Sequence, residues 1–113
     1  MLAGDRQVTA LWCFNDRMAM GAYRAAAEAG RRVGDDLSII GFDNLEPIAE
    51  SLAPALTTMA LPYYEIGETA ADVALGTAGA TEPDAPPRRI RIPCPMVRRF
   101  SATRVAVRHA VPP

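Results

Sequence analysis

The chain contains no lysine; all twelve of its basic residues are Arg. It has one His, two Cys and one Trp, and no apolar run long enough to span a bilayer. Each shortage excludes something. Without Lys, the usual cation for a transferring phosphoryl group is missing, and no P-loop or GxGxxG stands in its place. The single His109 lies in the terminal tail. A metal cluster or a Ser-His-Asp triad would have to use it, and a fraying tail is a poor place for a catalytic base. Cys13 and Cys94 lack metal-ligand spacing and read as structural thiols of a reducing cytoplasm. Met1 to Gln7 has no cationic stretch leading into an apolar core, so it is not a signal peptide. No metal and no cofactor is expected.

What is present is ordinary for a globular protein. The chain has 113 residues, 50% hydrophobic and 22% charged, with a formal charge of −1. That size fits one domain, and that charge argues against gripping nucleic acid by bulk electrostatics. The charge is uneven, however. From Ala85 onward there are seven Arg and no acid; before it, five Arg face thirteen acidic residues, a net −8. A basic tail can meet an acidic partner. These Arg alternate with apolar residues instead of forming a block, so the preferred reading is a solvated strand edge that resists pairing with another edge.

The hydrophobic pattern alternates between strands and helices. Val8 to Phe14 is a continuous apolar run of strand length, as in a parallel sheet covered on both faces. By default Trp12 packs in the core, while Phe14, nearer the strand end, can line a pocket. Asn15-Asp16 can cap a helix over Arg17 to Ala29. Met18, Ala22, Ala25 or Ala26 and Ala29 give that helix an apolar stripe, and Gly30 its stop. Gly21, in mid-helix, costs about 1 kcal/mol against Ala and predicts close approach of another backbone. Leu37 to Phe42 forms a second strand, completing a right-handed βαβ unit. Glu46 to Leu52 reads as a short helix, and Leu56 to Leu61 as a third strand. Pro62 opens another helix with Ile66, Ala70, Val73 and Ala74 on one face and a stop at Gly76 or Gly79. Arg89 to Ile92 alternates with period two and reads as a strand. Met96 to Phe100 is a last short strand, and the tail from Ser101 shows no pattern. The fold class is therefore α/β, with parallel-sheet βαβ layers.

In open parallel sheets, ligands bind beyond the carboxyl ends of the strands. Two such ends are visible, Phe14-Asn15-Asp16 and Phe42-Asp43-Asn44. On neighbouring strands about 4.8 Å apart, Asn15 and Asp43 can reach one small polar ligand. An amide donates and accepts while a carboxylate accepts from hydroxyls, which suits a sugar or polyol. The same residues can equally cap a helix and make a turn, and spacing alone does not choose. Tyr63, at a helix start, can stack on a sugar ring or simply pack; Tyr64 reads as structural. Asp16 with Asp43 can also be drawn as an acid/base or Mg²⁺ pair, the weakest reading because nothing places a cation beside them.

Four pieces in order carry a family resemblance. They are Thr9 to Ala22 with its Phe14-Asn15-Asp16-Arg17-Met18, Gly30 to Asn44 with Gly41-Phe42-Asp43-Asn44, Pro54 to Thr58 with Leu56-Thr57-Thr58, and Pro62 with Gly67. Together they resemble the C-terminal part of the lactose/galactose repressor (LacI/GalR) family of bacterial transcriptional regulators, over about Val8 to Ser101. The resemblance implies a periplasmic-binding-protein-like type I fold of two α/β lobes with an effector between them. This chain would hold an incomplete portion: residues 8–60 mostly in the C-terminal lobe, 62–93 a remnant of the other lobe, and 96–100 a return strand. Asn15 and Asp43 match effector-contacting positions, with Phe14 beside them and Tyr63 reaching from the other lobe. Met20 and the segment with Pro47, Ile48, Glu50, Ser51 and Leu52 match the dimer-forming surface. Asn44 stands where the family usually has a second Asp, which removes a charge near the site.

The expectation that follows is a non-enzymatic, cytoplasmic sensor. It would bind a small-molecule effector (a sugar or related polyol, or a purine) as a homodimer with no membrane role. Operator DNA would be reached only through an N-terminal helix-turn-helix domain that this chain does not contain, so a truncated or misannotated start is expected. An exposed apolar face on the Pro62 helix would then favour self-association or marginal stability. The alternatives are a fragment of a periplasmic sugar-binding protein and a small Asp-dependent hydrolase or phosphoryl-transfer domain.

Overall fold

The computed structural model describes residues 7–77 and 89–103. The elements in order are β1 (Ala10–Trp12), α1 (Asp16–Glu28), β2 (Ser38–Asp43), α2 (Glu46–Ala49), β3 (Thr57–Ala60), α3 (Tyr63–Leu75) and β4 (Met96–Val97). They form a four-stranded sheet ordered β1-β2-β3-β4. β1, β2 and β3 run parallel and β4 is antiparallel to β3. The parallel βαβ layers are those the patterning implied. The chain divides into two compact units, Met1–Ala60 with Met96–Pro113, and Leu61–Pro95.

The first unit is built on small residues. Ala19, Tyr23 and Ala26 of α1 meet Leu37, Ile39, Ala49 and Leu56 in a buried core. Alanine has the best helix propensity and no side-chain entropy to lose, so α1 can lie close to the sheet. Each fully buried Leu or Ile contributes about 1.5–3 kcal/mol. The buried stripe of α1 is Asp16, Ala19, Tyr23 and Ala26, one residue out of phase with the stripe expected from Met18, Ala22 and Ala29. With alanine at so many positions the apolar pattern has no unique phase. The buried hydroxyl end of Tyr23 breaks the tie by donating to the Pro54 carbonyl at 2.7 Å. Met18 consequently faces outward, 58% exposed.

Five other readings are corrected. β1 spans only Ala10–Trp12, and Trp12 is 68% exposed instead of packed in the core. Alternation turns Leu11 and Cys13 toward α1 and leaves Trp12 on a face that no described residue covers. The α2 helix ends at Ala49 instead of Leu52. Arg89 to Ile92 forms no strand, because among the described residues nothing pairs with it. A Cβ built at Gly21 would have open space around it, so among the described residues no backbone of another segment approaches there.

The segment after β4 closes the first unit with hydrogen bonds that no local pattern announces. Buried Ser101 Oγ donates to the Ile39 carbonyl at 2.6 Å and accepts from Thr57 N at 2.8 Å. Ile39 N donates to Ser101 O at 2.9 Å. Arg99 Nη1 donates to Leu56 O at 3.0 Å. Thr103 Oγ1 donates to Gly34 O. Gly34 has φ +88°, and a Cβ there would stand 2.7 Å from Phe100 O. Only glycine fits that turn on both counts.

In the second unit, α3 has no buried residue. Its stop is Gly76, left-handed at φ 73°, whose N–H turns back to Val73 O at 3.3 Å, as a C-terminal cap should. Ile66 and Val73, on the apolar face read from the sequence, are 39% and 53% exposed.

Candidate functional site

The parallel register of β1 and β2 brings the two expected strand ends together. Trp12 pairs with Ile40, and Cys13 N donates to Ile40 O at 2.8 Å. Asn15 and Asp43 each lie three residues beyond that pair, at the carboxyl end of the sheet. Phe14, 79% exposed, stands beside them on the loop between β1 and α1.

Asn15 serves the helix as well. Its Oδ1 accepts from Met18 N at 2.8 Å, the N-cap expected from the sequence, and its backbone is extended, with φ −152°. The cap takes one lone pair of the side-chain oxygen and fixes its direction, leaving Nδ2 as the group that can donate to a ligand. Cap and ligand contact are therefore compatible in this residue.

Asp43 and Asn44 both have positive φ, 109° and 53°, a region that residues with side chains seldom occupy. Such strain clusters at binding sites because it re-aims a side chain at a strand end. Among the described residues, the buried Asn44 Oδ1 has no hydrogen-bond partner. An amide tolerates this at about 1–3 kcal/mol; a carboxylate in the same place would cost more.

Asp16 departs most from its sequence reading. It is fully buried. Its Oδ1 accepts from Thr58 Oγ1 at 2.6 Å and its Oδ2 from Leu45 N at 2.7 Å. With both oxygens occupied inside the fold, Asp16 offers nothing to a metal or a substrate, so the drawing of Asp16 and Asp43 as an acid/base pair loses one member. Among the described residues no group of three His, Cys, Asp or Glu can hold a metal ion. Sequence reasoning missed Thr58, whose hydroxyl lies in this network. Its only signal was a polar pair, Thr57-Thr58, inside a strand that is otherwise apolar.

The remaining expected residues lie elsewhere. Tyr63 opens α3 in the second unit and is 61% exposed. Met20 is 47% exposed on α1. Pro47, Glu50 and Ser51 are exposed around α2, and Ile48 is half-buried. Leu52 packs against the core, and Glu50 pairs with the largely buried Arg99 at 3.5 Å. Cys13 is buried, and that burial, with the nearby Asp16 carboxylate, raises its thiol pKa. A thiol held protonated is a poor nucleophile. His109 lies outside the described residues.

Comparison with known proteins identifies the family of this fold. Residues 2–102 match the family described as periplasmic binding protein-like domain. An HTH-type transcriptional repressor of Vibrio cholerae, PurR, is 40% identical over 75 residues, which are 66% of this chain and 22% of the relative. The chain thus spans about a fifth of the length of such curated relatives. Among solved structures, a LacI family regulator from Arthrobacter in complex with lactose is 36% identical with a TM-score of 0.71, covering 86% of this chain and 36% of that one. A LacI family regulator from Enterococcus faecium with bound ribose is 35% identical with a TM-score of 0.69, covering 88% and 36%. Neither of the hydrolase and phosphoryl-transfer chemistries weighed from the sequence is named by these relatives. A parallel sheet with its polar residues at the carboxyl ends, a family match along most of its length and repressors as its relatives agree with one another: the chain belongs to the periplasmic binding protein-like domain family, in the form carried by LacI/GalR transcriptional regulators.

Proposed function

We propose that this chain is the effector-binding and dimerising portion of a LacI-type bacterial repressor, acting in the cytoplasm and without enzymatic activity. In it, Asn15, Asp43 and Phe14 contact a small polar effector and Tyr63 contributes from residues 62–93, the part assigned to the other lobe. The observation that carries this reading is the placement of Asn15 and Asp43 three residues beyond the paired Trp12 and Ile40, at the same end of adjacent parallel strands. Asp43 accepts from hydroxyl or N–H groups, Asn15 Nδ2 donates, and exposed Phe14 offers an apolar face to a ring. Ribose and lactose in two related regulators support a sugar. The repressors named PurR support a purine as the other effector class. In the whole regulator, an effector preferring one arrangement of the lobes would alter operator affinity, since a ligand shifts an equilibrium only by its differential affinity. Operator DNA would be held by an N-terminal domain, and Met20 with the Pro47, Ile48, Glu50, Ser51 and Leu52 surface would form the homodimer.

Calorimetric titration of the whole regulator with ribose, lactose, adenine and guanine tests this. One class should bind, and Asp43→Ala should abolish that binding while sedimentation still shows a dimer. Unchanged affinity in Asp43→Ala removes Asp43 from the site, and no binding by either class removes the effector reading.

A further inference from the structure

The consecutive positive φ values at Asp43 and Asn44 have to be imposed by their surroundings, since neither residue is glycine. The two amides that follow Asp43 show how. Leu45 N donates to Asp16 Oδ2 at 2.7 Å, and Asn44 N donates, at a longer 3.4 Å, to Thr58 Oγ1. Thr58 Oγ1 in turn donates to Asp16 Oδ1 at 2.6 Å. One buried carboxylate and one buried hydroxyl thus receive both N–H groups of the turn. Gly41, two residues upstream on β2, leaves the room: a Cβ there would overlap Asp16 Oδ1 and stand 2.9 Å from Leu56 Cδ2.

A carboxylate in the first turn of a helix is favourable even when solvated, by its interaction with the helix dipole. That does not explain Asp16. Its side chain is turned inward, is wholly buried and bonds to two other segments of the chain. Burying a charge is costly unless it is fully hydrogen-bonded, so the network must be complete for the turn to exist.

We infer that Asp16 is a positioning residue for Asp43: paired with Thr58, it holds the turn in which Asp43 and Asn44 take positive φ and so aims the Asp43 carboxylate beyond the strand end. Asp16 itself touches no effector. The inference rests on the reading of Asp43 as an effector contact for its functional meaning, but its structural content can be measured without an effector.

The test uses the complete chain labelled for NMR, with Asp16→Asn, Thr58→Val and Thr58→Ser. Backbone carbon shifts and amide couplings of Asp43 and Asn44 report the sign of φ. In Asp16→Asn and Thr58→Val these should move toward the ordinary strand range while Ser38 to Ile40 stay fixed; Thr58→Ser, which keeps the hydroxyl, should restore them. Should Asp16→Asn not fold, the Thr58→Val and Thr58→Ser pair decides alone. Unmoved Asp43 and Asn44 signals in Thr58→Val overturn the inference. Ribose is the binding probe. Asp16→Asn should weaken its binding about tenfold, the scale of one charge-assisted hydrogen bond, and should add nothing further in an Asp43→Asn background. An equal loss in both backgrounds means general loosening and also overturns it. If the unaltered protein binds no ribose, the sugar reading fails by itself while the shifts still decide the positioning role.

Discussion

α1 and α3 are both thirteen residues long, both alanine-rich, and both followed within two residues by a glycine with positive φ. By local rules they are near equals, yet α1 buries Asp16, Ala19, Tyr23 and Ala26 while α3 buries nothing. α1 begins with a side-chain cap on Asn15; α3 begins at Pro62 without one. The difference lies in what each helix packs against. Most helix stability in proteins comes from burial of an amphipathic face, and among the described residues only the first unit supplies a sheet for this. Propensity and pattern locate a helix, but they do not say how firmly it is held.

The largest test of that contrast is truncation. Leu56→Ala, which empties a wholly buried site, should cost about 2–5 kcal/mol. Leu75→Ala on α3, where the side chain is 76% exposed, should stay within about 0.5 kcal/mol. Urea denaturation midpoints measure both, and equal losses would mean that α3 is covered in solution.

Glycine substitutions should move stability in opposite directions. Gly41→Ala has to displace Asp16 Oδ1 and Leu56 Cδ2 and should cost about 1–3 kcal/mol, as overpacking does. Gly67→Ala on α3 meets nothing within 4 Å and should gain about 0.5–1 kcal/mol by restricting the unfolded chain and favouring helix. A stabilising Gly41→Ala would show that Asp16 has room to move.

The thiols should separate in rate. Buried Cys13, with its raised pKa, should react with iodoacetamide more slowly than half-buried Cys94. Mass spectrometry of a short labelling time course reads the order, and comparable rates would mean that β1 opens readily.

The smallest effect is electrostatic and confined to the turn before β2. Asp36 accepts from Arg32 Nε at 3.1 Å and from Arg32 N at 3.0 Å, and the Arg32 side chain first, then its backbone N–H, lower the Asp36 pKa from 3.8 to about 2. Because the folded value lies below the unfolded one, the contribution is complete above about pH 4 and fades as pH falls toward 2. The pair is solvent-exposed, so its effect on stability should be small. Carboxyl NMR titration should find Asp36 still ionised at pH 3; protonation near pH 4 would dissolve the contact.

Much of this was legible in the sequence, for reasons specific to each element. The run from Leu37 to Phe42 and the Asn15 cap depend on neighbours in sequence, so strand and helix positions followed. Asn15 and Asp43 were found because strand ends are marked by the switch from apolar to polar residues. Asp16, Thr58 and Ser101 were not, because their partners lie 14 to 62 residues away and polar side chains in a core leave no periodic trace. Trp12 misled because a large aromatic in an apolar run reads as buried, and burial depends on whether a second layer covers that face. Arg89 to Ile92 misled in the same way: period-two alternation describes a strand only when another strand is beside it.

The register of β3 and β4 has a consequence for how the protein can be cut and joined. Met59 pairs with Met96, so the chain leaves the first unit at Ala60 and re-enters at a point directly opposite. Two antiparallel strands that meet in this way can be linked by a two-residue turn. Residues 61–94 therefore occupy the place of a hairpin loop, and because closure entropy rises only slowly with loop length, that place can accept inserts of very different sizes. An Asn-Gly turn joining Ala60 to Pro95, the residue this register sets opposite it, would leave the sheet, α1 and the Ser101 hydrogen bonds intact in connectivity, which makes this junction the natural splice site for a shortened scaffold or a grafted reporter.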